Sequence, residues 1–497
     1  MTLGELFSGI TEIPVALRNT QVTGVTSDNR EVQPGFLFVC VKGRSFDGHD
    51  VAAAMLEKGA CAVMTERALG LPAEINVSGS RRLYPEVLSA FYGRPTRKLI
   101  LGAVTGTNGK TTTVNLCAQI TRALGCQTGV IGTVGCDTGR GLEYSHDGPP
   151  TTPEPRKLYQ LFREMADIGT EYCFLEASSM ALAQHRFAAE SFAVGAFTNL
   201  TQDHLDYHGT MEDYYLAKRM LADMSRNMVV NIDDEYGRRT VEYCRSCGIP
   251  AITTSVTGEA DYYAEFVKLE PHGAEFLLTC PQKQKSWVAK IPLTGMYNVS
   301  NAVQAVVMCH LLGFPMEEVL TALEKSPGVS GRLETIYQGD FTVLRDYAHT
   351  GDGLEKLLST LKPLARNRLV AVFGAAGERD AGKRPEMGRI AAKYADRLII
   401  TTDNPRHEPG QQTIDDVRRG VPEGVDCEEY TDRRKAIHRA LETAQPGDLI
   451  ALCGKGHEDY QAIGDENVPF NEREIVLEWL GAHGINYGGA ICLLQVK

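Results

Sequence analysis

The chain has 497 residues, 43% of them hydrophobic, and a formal net charge of −12 at pH 7. Such a length exceeds one ordinary core and predicts on the order of two to four domains. The acidic balance leaves no basic excess to neutralise phosphates, which argues against a nucleic-acid partner, and no apolar run reaches membrane-spanning length.

The N-terminus, Met1-Thr2-Leu3-Gly4-Glu5, lacks the basic-then-apolar pattern of a signal peptide. Residues 1–96 read as one α/β unit. Gly24 to Arg30 is followed by Pro34-Gly35-Phe36-Leu37-Phe38-Val39, a turn signal leading into a strand, and then by an Ala-rich helical run ending at Gly59. Arg94-Pro95-Thr96-Arg97 looks like the link to a second unit, residues 97–330. There Leu99–Thr105, Tyr172–Leu175, Phe192–Phe197 and Met228–Ile232 read as buried strands alternating with helices. That alternation predicts a mostly parallel sheet covered on both faces. A third α/β unit spans 331–497, with strands at Leu369–Phe373, Arg397–Ile400 and Asp448–Leu452, each running into a polar loop where open α/β sheets bind ligands. The tail Ile491-Cys492-Leu493-Leu494-Gln495-Val496 is unusually apolar for a chain end. The 13 cysteines are odd in number and scattered, several in apolar contexts such as Cys61, Cys117, Cys173 and Cys309. Cys244 and Cys247 form a C-x-x-C with no second pair at zinc-site spacing, so a reducing cytoplasm is expected.

The strongest chemical signal is Val104-Thr105-Gly106-Thr107-Asn108-Gly109-Lys110-Thr111-Thr112, between a strand and a helix marked by Leu116, Ile120 and Leu124. Glycines here let backbone N–H groups turn toward an anion at a helix N-terminus. Lys110 is suited to the β- and γ-phosphates, and the Thr111 hydroxyl to Mg2+. The generic pattern G-x-x-x-x-G-K-S/T is not met, because position 104 is Val and the first glycine is Gly106. Glu176 stands at the end of a strand, where a carboxylate is placed either to hold Mg2+ or simply to face solvent. The segment Asn199 to Gly209 leaves another strand and concentrates Asp203, His204, Asp206 and His208. His204 is a ligand, a positioning group or a structural histidine. Lys218, in Tyr214-Tyr215-Leu216-Ala217-Lys218, reads by composition as an ordinary exposed helix lysine.

Taken together, Gly106 to Thr112, Glu176-x-Ser178-Ser179, Asp203-His204-Leu205-Asp206 and Ala217-Lys218 resemble the Mur ligases, ATP-dependent amide-forming enzymes of peptidoglycan synthesis. The resemblance continues through Asn298 and Asn301, Gly331-Arg332-Leu333-Glu334 and Asp346-Tyr347-Ala348-His349. It implies three domains: an N-terminal UDP-binding domain, a central P-loop ATPase domain and a C-terminal Rossmann-like domain. It also implies ATP bound by Gly106, Thr107, Asn108, Gly109, Lys110, Thr111, Thr112, Asn298, Arg332, Asp346 and His349. Lys218 is then carbamylated by CO2, and with Thr111, Glu176 and His204 it holds Mg2+. Carbamylation converts a cation into an oxygen donor suited to a hard metal.

Within the family, the resemblance is to members that extend UDP-MurNAc-L-Ala-D-Glu by a third residue. Asp28-Asn29-Arg30 matches their uridine-binding region, with Asn29 where Ser is usual; Thr151, Thr152, Ser178, Gln184 and Arg186 match positions that hold the nucleotide-sugar-peptide. Met180 stands where His is usual and cannot replace its hydrogen bonds. Asp403-Asn404-Pro405-Arg406 resembles the signature of ligases that add meso-diaminopimelate, with Arg379, Gly454 and Glu458 as companions. An Arg fork at 406 suits the distal carboxylate that lysine lacks, and Glu458 the distal ammonium. The loop departs from the family in the short His407-Glu408-Pro409. The implied reaction passes through an acyl phosphate in a cytoplasmic monomer. Lysine or another diamino acid as substrate, and a noncatalytic muramyl-peptide-binding relative, stay open.

Overall fold

The computed structural model describes residues 1–43, 46–143, 151–188 and 192–485, so the apolar tail at 491–496 lies outside the described residues. The chain divides into two compact units: Met1–Tyr263 with Cys280–Lys283 and Val303–Val319, and Ala264–Thr279 with Gln284–Ala302 and Leu320–Lys497. No described helix is long and apolar enough to cross a membrane.

The first unit opens with a parallel sheet of strands Gly24–Thr26, Phe36–Val39, Ala62–Thr65 and Glu74–Asn76 in that order. Phe36–Val39 and Ala62–Thr65 are buried at every residue, as a parallel strand covered on both faces requires. Helix Ser80–Phe91 lies against them through Tyr84, Val87 and Leu88, a helical stripe of apolar side chains.

Six neighbouring strands of a larger sheet lie in this unit, in the spatial order Ala251–Ser255, Met228–Asn231, Val194–Phe197, Ile100–Thr105, Tyr172–Glu176, Thr128–Gly132. These strands pair in parallel. In the central register Val104 faces Glu176 and Thr105 faces Phe197. The segments following Thr105, Glu176 and Phe197 therefore leave the sheet side by side, at the edge where open α/β sheets bind ligands. The strand expected from Phe192 begins at Val194, because Phe192 makes only an isolated bridge to Ser225.

The second unit contains a six-stranded sheet ordered Glu334–Gln338, Thr342–Asp346, Leu449–Cys453, Leu369–Phe373, Arg397–Thr401, Cys427–Tyr430. All neighbours are parallel except the first pair. Its apolar runs are packed on one face by Leu354, Leu357, Leu358 and Ile390, and on the other by Ile437, Ile475 and Leu480. A small hairpin, Tyr460–Ile463 with Glu466–Pro469, stands beyond the sheet. Asp448 precedes its strand rather than opening it, and its carboxylate is taken by Arg368 at 2.6 Å.

Candidate active site

The phosphate loop is shaped by Gly106, whose φ is 144°; a Cβ there would lie 1.8 Å from Thr198 Oγ1. Gly109, at φ 88°, turns the chain into helix Lys110–Ala123. The neighbouring strand end clamps the loop. Asn108 N–H donates to Asn199 Oδ1 at 3.0 Å, Asn199 Nδ2 donates to Asn108 O at 3.1 Å, and Thr198 Oγ1 donates to Asn108 O at 2.6 Å. Thr107 Oγ1 donates to Thr201 O at 3.1 Å. Lys110 Nζ donates to the carbonyls of Gly106 and Thr107 at 2.9 and 3.0 Å. Thr111 and Thr112 are buried in the first turn of the helix.

Lys218 corrects the compositional reading: it is 1% exposed rather than solvent-facing. Helix Met211–Asp223 is capped by Thr210, and its buried stripe runs through Tyr214, Lys218, Leu221 and Ala222. The spacing of four residues stacks Lys218 on Tyr214, with Nζ 4.6 Å from the ring centre, and Nζ donates to Gly106 O at 2.6 Å. Burial, with Lys110 adding to it, pushes the Lys218 amine pKa well below its usual range, and Asp203 opposes them. The Tyr214 hydroxyl is 3.2 Å from Thr107 Oγ1, so the phosphate loop and the lysine helix share a contact.

Glu176 is 1% exposed and is held from the next strand end: Thr133 N–H donates to Oε1 at 2.8 Å and Thr133 Oγ1 donates to Oε2 at 3.1 Å. Gly132 makes room for it, since a Cβ there would fall 2.3 Å from Oε1. His204 caps helix Leu205–His208 at φ 50°, with its side chain 46% exposed and its ring 6.2 Å from that of Tyr214. Lys110, Lys218 and His204 thus gather around Gly106, Thr107 and Tyr214. Among the described residues no three His, Cys, Asp or Glu side chains converge as a ready-made metal site.

Of the residues expected to hold the nucleotide-sugar-peptide, Thr151, Thr152, Ser178, Gln184 and Arg186 are linked by hydrogen bonds, and Asn29 is not among them. Thr133 Oγ1 and Thr151 Oγ1 are 3.2 Å apart, and Thr152 Oγ1 donates to Glu176 O at 2.6 Å. Ser178 N–H donates to Thr152 Oγ1 at 3.1 Å. Arg186 donates to Thr152 O and, at 2.8 Å, to Gln184 Oε1, and Gln184 Nε2 donates to Tyr207 OH at 3.1 Å. Asn29 is bound through its backbone, its carbonyl accepting from Lys58 Nζ at 2.9 Å.

In the second unit, Asp346 accepts from the N–H groups of Leu333 and Ala348 at 2.8 and 2.9 Å. Desolvation raises its carboxyl pKa, against the attraction of Arg332. The Arg332 guanidinium lies 4.8 Å from the Tyr347 ring centre, and exposed His349 stacks edge-on against the same ring. Asn298 is buried, its Nδ2 donating to Thr294 O at 2.8 Å. The loop after strand Arg397–Thr401 is joined to the loop after Leu449–Cys453. Asn404 Nδ2 donates to Glu458 Oε2 at 3.0 Å, Lys455 Nζ donates to Asn404 Oδ1 at 2.8 Å, and Gly454 lies against the Asp403 carboxylate. Arg406, at φ 52°, exchanges backbone hydrogen bonds with Ala462 and Gly464 of the small hairpin. Arg379 is exposed on the loop whose Gly377 N–H donates to Asn404 O at 2.9 Å.

Three family models match the chain: the Mur ligase family catalytic domain at residues 21–90, the Mur ligase middle domain at 104–309 and the Mur ligase glutamate ligase domain at 331–456. A relative from Geobacillus thermodenitrificans, named UDP-N-acetylmuramoyl-L-alanyl-D-glutamate–2,6-diaminopimelate ligase, is 40% identical over 92% of this chain and 94% of its own. The chain belongs to the Mur ligase family. A Listeria monocytogenes protein of the same name is 39% identical to this Mur ligase over 95% of the chain and 97% of its own. A solved structure of a ligase so named is similar at a TM-score of 0.73 and 32% identity, covering 97% of this Mur ligase and all of that chain. Thermotoga maritima MurF, solved in complex with ADP, shares the fold at a TM-score of 0.58 and 17% identity, covering 93% of this chain and 97% of its own.

Several residues that build this Mur ligase's site carry no signal of their own role in the sequence, even where they stand in a segment it singles out. Thr133, Asn199 and Tyr214 act on Glu176, the phosphate loop and Lys218, yet each looks like an ordinary strand-end or helix residue. Lys455 was hidden as an apparent loop lysine inside Gly454-Lys455-Gly456; the two flanking glycines are the one hint that its backbone is special.

Proposed function

We propose that this Mur ligase uses ATP to join meso-diaminopimelate to the D-Glu carboxylate of UDP-MurNAc-L-Ala-D-Glu, in cytoplasmic peptidoglycan precursor synthesis. The observation that carries the amino-acid assignment is the union of the Asp403–Arg406 loop with Glu458 through Asn404, which brings the loop that bears Arg406 beside the Glu458 carboxylate. The far end of diaminopimelate carries both an ammonium and a carboxylate, so a site for it needs both signs, whereas lysine would face Arg406 with no carboxylate to offer. A site built on such polar partners rejects an analogue lacking them by about 10⁴–10⁵. The names of relatives at 39–40% identity over nearly the whole chain support the same substrate.

The substrate carboxylate attacks the γ-phosphate of ATP, giving an acyl phosphate; the amine of diaminopimelate then attacks the acyl carbon and phosphate leaves. Such a transfer needs positioning and charge neutralisation more than a protein nucleophile. Gly106 to Thr112, with Lys110, cradle the phosphates. Asn298, Arg332, Asp346 and His349 are assigned to ATP by their match to family positions. Asn29, Thr151, Thr152, Ser178, Gln184 and Arg186 hold the nucleotide-sugar-peptide, and Arg379, Asp403, Asn404, Arg406, Gly454 and Glu458 hold diaminopimelate.

The donor set fits Mg2+: a cradled Glu176 carboxylate, the Thr111 hydroxyl, the His204 imidazole and, after reaction with CO2, a carbamate on Lys218. Bound there, the ion neutralises charge on the transferring phosphoryl group. Burial prepares Lys218 for carbamylation, because CO2 reacts with the neutral amine that desolvation favours. The three family matches support domain boundaries near 96/97 and 330/331. The chain is assigned as a monomer.

The test is ATP-dependent phosphate release with UDP-MurNAc-L-Ala-D-Glu, comparing meso-diaminopimelate with L-lysine and weighing the product by mass spectrometry. Release and ligation with diaminopimelate alone are expected. A preference for lysine would discard the role given to Arg406.

A further inference from the structure

Lys455 has a side chain with no solvent exposure, buried at the base of the Asp403–Arg406 loop. Its Nζ donates to Glu458 Oε2 at 2.5 Å and to Asn404 Oδ1 at 2.8 Å, and lies 5.0 Å from the Tyr460 ring centre. Asn404 is locked from both sides, since Oδ1 also accepts from Ala462 N–H at 2.9 Å while Nδ2 donates to Glu458 Oε2 at 3.0 Å. Two of these bonds, from Lys455 and from Asn404, converge on one oxygen of Glu458, Oε2. Among the described residues the other, Oε1, has only the Tyr347 hydroxyl at 3.5 Å, the outer limit of a hydrogen bond.

The backbone around Lys455 is shaped for this. Gly454 and Gly456 have φ of 116° and 53°, and a Cβ on them would meet Asp403 Oδ2 at 2.5 Å and Tyr347 Cβ at 2.7 Å. Only glycine on both sides lets the chain turn the lysine inward.

We propose that Lys455 is a positioning residue for the amino-acid substrate: it fixes the Glu458 carboxylate and the Asn404 amide in one orientation, so that Glu458 presents Oε1 to the distal ammonium of diaminopimelate. The inference rests on the diaminopimelate reading above. Orientation and bare charge make opposite demands here. A cation close to an ammonium-binding carboxylate repels the ligand, so if Lys455 acted by charge alone its removal would tighten binding. If it orients Glu458, removal frees the carboxylate to rotate and weakens binding, because a bound geometry that must be selected from many costs affinity.

The experiment compares wild type, Lys455→Met, Lys455→Gln and Lys455→Arg in the full-length enzyme, by steady-state kinetics with meso-diaminopimelate, UDP-MurNAc-L-Ala-D-Glu and ATP each varied in turn. Lys455→Met is expected to raise the KM for diaminopimelate at least tenfold, with kcat and the KM for ATP within threefold of wild type. Lys455→Arg, which keeps a cationic donor, is expected to recover most of that loss, and Lys455→Gln part of it. An unchanged or lowered KM for diaminopimelate, or a loss spread evenly over kcat and the other substrates, overturns the proposal. If Lys455→Met does not fold, the ordering of Arg and Gln against wild type decides by the same split. Wild type inert toward diaminopimelate would instead overturn the functional reading, and the proposal with it.

Discussion

Lys110 and Lys218 direct their amines at one acceptor, the carbonyl oxygen of Gly106, at 2.9 and 2.6 Å. Lys110 comes from the helix that follows the glycine-rich loop and Lys218 from helix Met211–Asp223, so one backbone carbonyl ties the two lysines together. The proximity of Lys110 adds to burial in disfavouring a charged Lys218.

This gives Lys218 a pH signature. Its folded pKa lies below its ordinary value of 10.5, so between the two values the unfolded chain binds a proton that the folded chain does not. Stability therefore rises with pH across that window, and the penalty is complete below the folded pKa. In CO2-free buffer, Lys218→Met is expected to raise Tm at neutral pH, with a gain that shrinks as pH approaches 10.5, while ligation is lost. Calorimetry across the pH range checks it; a gain independent of pH would point to packing instead.

Gly106→Ala tests the loop geometry. The new Cβ would meet Thr198 Oγ1 at 1.8 Å in a backbone conformation that side chains rarely adopt. A strained position of this kind costs about 1–3 kcal/mol. Denaturant unfolding is expected to show that loss, and the KM for ATP is expected to rise at least tenfold. Normal ATP kinetics in a folded variant would show that the loop tolerates a side chain.

Thr133→Val removes the hydroxyl bond to Glu176 Oε2 but keeps the N–H bond to Oε1. Losing one such bond costs about 0.5–1.5 kcal/mol. The Mg2+ concentration for half-maximal activity is expected to rise several-fold, with kcat restored at high Mg2+. A Mg2+ titration superimposable on that of wild type would refute a role for Thr133 in holding Glu176.

Arg433 and Glu472 form an ion pair with no side-chain exposure, at 2.7 Å, in the second unit. Arg433 also donates to the carbonyls of Thr402 and Cys453, the residues leading into the Asp403 and Gly454 loops. Removing one member of such a pair costs about 3–5 kcal/mol, whereas replacing both with apolar residues is often neutral. Glu472→Leu is expected to be strongly destabilised, and Glu472→Leu with Arg433→Met to recover much of the loss in chemical denaturation. Additive losses would show that Arg433 matters through its carbonyl bonds.

The phosphate loop, the parallel strands around it and the loops carrying Glu176 and Asp403 were legible in the sequence, because apolar runs that end in glycine and polar residues leave few other folds open. Lys218 was legible as a motif position but not as a buried amine. Composition assigns a helix lysine to solvent, and the stripe of Tyr214, Lys218 and Leu221 becomes interior only in the fold, where Lys218 meets Gly106 O, the Tyr214 hydroxyl lies by Thr107 and Leu221 joins the apolar core. Cys244 and Cys247 fall apart in the same way: Cys244 is buried and Cys247 exposed, on one helix.

The sequence by itself determined which elements form and which chemical groups stand at their ends, since strand and helix periods and glycine placement act over short stretches of chain. Only the tertiary structure decided which of those groups meet. Thr133 on Glu176, Lys110 beside Lys218, and Lys455 bracing Glu458 and Asn404 depend on strand order and loop register. Hydrogen bonds reach about 3 Å, and residues distant in sequence come that close only once the sheet has set their strand ends side by side.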